Sequence, residues 1–84
     1  MRHGAKITER ELEQAARIAI LFERRAAQRN TDSEKRRAAL KKSDRIYIAL
    51  ERVSERTATP RDFHIILAAA READRLDKKV AALC

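Results

Sequence analysis

Arg37, Lys41, Arg45, Arg52 and Arg56 recur along one stretch of this chain at intervals of four or seven residues. On a helix that spacing keeps all five within about 100° of arc. At 1.5 Å per residue they form a stripe about 28 Å long. Cations spaced in this way can neutralise successive phosphates and release their counterions, a chemistry that needs no pocket and reads no bases. Lys35 and Lys42 project near one edge of the stripe and broaden it. Arg17, Arg24, Arg25 and Arg29 precede it, and Arg71, Arg75, Lys78 and Lys79 follow. Glu34, Asp44, Glu51 and Glu55 lie on or beside the same line. If they pair with neighbouring cations three or four residues away, the stripe is the solvated side of a helix and no more. Both readings stand on the sequence.

Other chemistry finds little material. His3 and His64 are the only histidines, and no nucleophile or carboxylate constellation accompanies either. Cys84 is the single cysteine, so no intrachain disulfide and no cysteine metal site is expected. Catalysis, a cofactor, a metal and a small-molecule substrate are accordingly not expected. Phe22, Phe63 and Tyr47 are the only aromatics, too few to read as a row of stacking platforms for single strands. Phe22 and Phe63 fall on apolar seams, and Tyr47 falls at a seam edge with its hydroxyl expected in solvent. Asp77 also lies at a seam edge, where a cation from another helix is its expected partner.

Three capping signatures supply the elements that position these groups. Thr8 with Glu11 reads as a capping box, and Ile7 with Leu12 has the spacing of a hydrophobic staple. Thr31 with Glu34 repeats the box, with Asp32 adding charge suited to a helix N-terminus. Thr59 precedes Pro60 at a first helical position, with Asp62 two residues further on. These signals predict helices at about 8–29, 32–56 and 60–83, and nothing resembles a strand. Residues 1–7 are expected to form a flexible tail. No glycine or proline lies between residues 5 and 59. A continuous first helix is nevertheless disfavoured, because the second helix's seam, extended backwards, meets Arg36, Asp32, Arg29 and Arg25. The predicted turn falls at Asn30 and Thr31, with Asn30 suited to a left-handed cap.

The seams are Leu12, Ala15, Ala19, Phe22 and Ala26 on the first helix, and Ala39, Ser43, Ile46, Leu50 and Val53 on the second. Ile66, Ala69, Ala73, Leu76, Val80 and Leu83 continue them on the third, widened by Phe63 and Ala70. The expected fold is an all-α, single-domain, compact three-helix bundle. A chain of 84 residues has a thin core, so self-association or burial against a partner is also expected. Ile18, Leu21, Phe22 and Ile48 are the candidate protein-interface residues, since one turn of the first helix is apolar all round and Ile48 lies outside the second helix's seam.

The net charge of +7 favours polyanionic partners, and the excess sits on the first two helices. No apolar run approaches the roughly 20 residues needed to span a bilayer. A cytoplasmic location is expected, consistent with the absence of a disulfide framework. Two functions follow as expectations. In the first, the chain associates with DNA or RNA through Arg37, Lys41, Arg45, Arg52 and Arg56, with little sequence discrimination. In the second it is an adapter or small inhibitor, of a bacterial or phage type, that docks a helix face on an acidic protein or nucleoprotein complex. A sequence-reading helix-turn-helix is not expected, because the only glycine is Gly4.

Overall fold

Local capping chemistry sets where the helices begin. The computed structural model describes residues 7–83, and His3, Cys84 and most of the expected tail lie outside them. Helix α1 runs Glu9–Ala26, α2 Ser33–Ser54 and α3 Pro60–Leu83. At α1 the Thr8 hydroxyl accepts from the Glu11 backbone N–H at 3.1 Å, while the Glu11 carboxylate accepts from Thr8 N–H at 2.9 Å. Ile7 and Leu12 both pack against the core, closing the staple. At α3 the same reciprocal arrangement forms between Thr59 and Asp62.

The α1–α2 turn lies where expected, but its chemistry differs. Asp32, not Thr31, caps α2, accepting from Lys35 N–H at 2.8 Å. A carboxylate is the stronger acceptor for these exposed amides. Thr31 instead donates its hydroxyl to the Arg25 carbonyl at 2.9 Å. Asn30 is not left-handed. The carbonyls leaving α1 are met by Arg36, whose Nε donates to the Ala26 carbonyl at 2.8 Å. Among the described non-glycine residues the positive φ belongs to Arg56, at 61°. There α2 ends in a Schellman motif: Thr57 N–H donates to the Arg52 carbonyl at 2.8 Å, and Arg56 N–H to the Val53 carbonyl at 3.1 Å.

The three helices pack against one another as a three-helix bundle, α1 contacting both partners more extensively than they contact each other. Ala15, Ile18, Ala19, Ile46, Ala49, Ile66, Ala69 and Ala73 form the buried core. Its many alanines let the helix backbones approach closely, and they leave little volume to bury. Ser43 is 1% exposed, and its hydroxyl has no hydrogen-bond partner. The α3 seam does not stay inside. Val80 and Leu83 are 61% and 83% exposed: Leu76 still packs against the core, whereas Val80 only borders an open hollow with Ile20, Leu21 and Arg24 of α1.

Polar ties join α3 to both of its neighbours. Arg17 of α1 pairs with Asp77 at 3.1 Å, the cross-helix cation expected for that carboxylate. The hydrogen bond from Arg17 holds the Asp77 carboxyl below its ordinary range, and the same bond raises Arg17. Arg52 of α2 pairs with Asp62 at 3.2 Å. No helix among the described residues is long and apolar enough to cross a membrane.

Candidate nucleic-acid interface

Helix α2 presents most of its cations on one side. Projected at about 100° per residue, Arg37, Lys41, Arg45, Lys42 and Lys35 spread over about 160° of arc, with Glu34 between Lys41 and Arg45 and Asp44 beside Arg37. This cationic edge of α2 thus outweighs its acids without being separated from them. Among the described residues the ion pairs within 4 Å join Arg10 to Asp74, Arg17 to Asp77, Arg52 to Asp62 and Arg75 to Glu72. None lies within α2. The pairing of Glu51 and Glu55 with flanking arginines, which would make the stripe a self-neutralised face, does not form.

The five stripe residues have different fates. Arg37, Lys41 and Arg45 are exposed on α2 and hold no carboxylate within ion-pair distance. Arg37 and Lys41 border a shallow hollow with Ser33, Arg36, Leu40 and Asp44. Arg52 is partly committed to Asp62, which is 3% exposed. The Asp62 carboxyl is held below its ordinary value of 3.8, first by the Thr59 backbone N–H, then by the Thr59 hydroxyl and Arg52, against the opposing effect of burial. Arg56 follows the end of α2 and its backbone is left-handed, so helical spacing no longer aligns it with the other four.

Beside this edge lies a groove that sequence reasoning missed. Two adjoining hollows of about 390 and 480 Å³ share Phe22, Arg25 and Lys42. The first continues along Lys35, Ala38 and Ala39, and the second reaches Arg45, Ile65, Ala68 and Glu72. Phe22 is half-buried on its floor, with the Arg25 guanidinium 5.6 Å and the Lys42 ammonium 5.4 Å from the ring centroid. The one carboxylate on its walls, Glu72, is engaged by Arg75 at 3.2 Å. Arg25 three residues after an aromatic was the available signal, but Lys42 arrives from another helix and no spacing shows it.

The candidate protein-interface residues separate as well. Ile18 is core, and Leu21 and Phe22 are half-buried against it. Ile48 is 47% exposed, in a small hollow with Arg45, Arg52, Arg61 and Ile65. The residue of the all-apolar turn that faces outward is Ile20, bordering a groove with Leu21, Leu76 and Val80. The Tyr47 hydroxyl is not free in solvent. It donates to the Glu23 carboxylate, tying α2 to α1, and that bond raises its pKa.

His64 is exposed on α3. Among the described residues no group of three or more His, Cys, Asp or Glu side chains could hold a metal ion. The fold therefore defines the class, a small basic three-helix bundle. No family model matches the chain, and no curated protein or solved structure shows significant similarity to it.

Proposed function

We propose that this protein associates with nucleic acid, mainly through phosphate contacts and with little sequence discrimination. The observation that supports this reading is the unpaired cationic edge of α2: Arg37, Lys41 and Arg45 carry no carboxylate partner although acids stand on the same helix. Cations that form no ion pair with the acids beside them retain more of their field for an external polyanion. Arg52 contributes less, because Asp62 already holds it, and Arg56 lies off the edge. The test is binding of a mixed-sequence duplex by the full chain and by a triple charge reversal, Arg37→Glu, Lys41→Glu and Arg45→Glu. Loss of binding with helicity retained is the expected result. Unchanged binding would remove the proposal.

A second reading, docking of an acidic protein or nucleoprotein partner, has its own observation. Ile20 and Val80 leave apolar surface on the α1–α3 side, beside the unpaired Arg24. Surface of this kind on a small domain marks interaction sites. Val80→Asp would abolish capture of such a partner and leave duplex binding intact.

A further inference from the structure

We infer that the groove over Phe22 seats a single nucleic-acid strand, with phosphates on Lys35, Arg25 and Lys42 and bases against the floor of Phe22 and Ile65. The inference rests on the nucleic-acid reading above and deepens it. Charge is the first argument. The three cations come from two helices, have no carboxylate within ion-pair distance, and share walls whose one acid is already held by Arg75.

Shape is the second argument. A strand with free bases can lower them onto an apolar floor while its backbone follows the rim. A duplex keeps its base faces stacked inside and offers phosphates and edges, so it reaches the rim alone. Lys35 and Lys42 are two turns apart, about 10 Å along α2, far enough to hold separate phosphates of one strand.

The third argument is the ring itself. Arg25 and Lys42 both sit over Phe22, at 5.6 and 5.4 Å. Two like charges drawn to one aromatic repel each other, and an anion bridging them relieves that repulsion. Drawing both cations onto phosphates leaves the exposed part of the ring to a base, and aromatic side chains are the usual platforms for bases.

The experiment measures fluorescence anisotropy of a labelled oligothymidine and of a mixed-sequence duplex of equal length, with polyglutamate as competitor. It compares the full chain with Phe22→Leu and with the pair Arg25→Gln and Lys42→Gln. The single strand is expected to bind at least about tenfold tighter than the duplex. Phe22→Leu should weaken the single strand about five- to tenfold, the loss of one stacked base, and leave the duplex within about twofold. Polyglutamate should compete poorly. Should Phe22→Leu lose helicity, the double glutamine variant decides, since it should reduce single-strand binding more than duplex binding. Equal, salt-dependent binding of both forms with no effect of Phe22→Leu would overturn the groove and leave the phosphate reading standing. Competition by polyglutamate as strong as by oligothymidine would overturn the base contact. Binding of neither form would overturn both proposals.

Discussion

Replacing Arg56 by glycine separates the helical-wheel picture of the cationic stripe from the three-dimensional one. Arg56 occupies the position after the α2 cap with φ at 61°, where a β-carbon crowds the following carbonyl. The strain is about 1–2 kcal/mol for an L-residue, and glycine escapes it but loses about 0.5–1 kcal/mol more backbone entropy on folding. Arg56→Gly should therefore raise stability by about 0.5–1 kcal/mol. In a domain of this size that is a rise of roughly 2–8 °C in Tm. The Schellman bonds from Thr57 to Arg52 and from Arg56 to Val53 are main-chain bonds and survive the change. Urea unfolding followed by circular dichroism checks the figure, with an unchanged m-value showing that the folded state is the same. The same variant should lose less duplex affinity than Arg45→Gly, because Arg56 lies off the cationic edge. A destabilised Arg56→Gly, or one that loses as much binding as Arg45→Gly, would refute the left-handed cap and the truncation of the stripe.

Two further perturbations test the interior and the ties between helices. Ser43→Ala removes a buried, unpartnered hydroxyl and improves helix propensity, so it should stabilise by about 1–2 kcal/mol in the same unfolding assay; a loss of stability would mean that the hydroxyl has a partner. Asp62 and Asp77 have folded pKa values lowered beneath 3.8, so the stability they supply is complete above that value and drains away as pH falls through their folded values. Tm should therefore be insensitive to these two groups at neutral pH and drop below about pH 4, and the combination Asp62→Asn and Asp77→Asn should flatten that drop. An unaltered acid limb in the double variant would contradict the assignment.

What could be read from the sequence was local chemistry. Thr8 with Glu11 and Thr59 with Asp62 form their boxes within four residues, so helix starts follow from neighbours alone. The choice between Thr31 and Asp32 was harder, because both are sound caps; the turn that brings Arg36 to Ala26 leaves Thr31 to serve α1. Seams were legible as phase and not as depth. Val80 and Leu83 keep the period of Ile66 and Ala73 yet stand in solvent, since period carries no information on how closely a neighbouring helix approaches. Leu21 and Ile20 exchanged roles because α1 is covered by two helices at once, which shifts its buried arc. The candidate site was half visible. Arg37, Lys41 and Arg45 follow from spacing, whereas the loss of Arg52 to Asp62 and the meeting of Arg25 and Lys42 over Phe22 are long-range events.

The central claim is that Arg37, Lys41 and Arg45 act together on phosphates, and the salt dependence of duplex binding tests it most directly. Three phosphates neutralised on duplex DNA give a slope of log K against log salt of about −2.7, and each neutralising substitution, Arg37→Gln, Lys41→Gln or Arg45→Gln, should reduce its magnitude by about 0.9. A slope near zero, or one that all three substitutions together leave unchanged, would contradict the account.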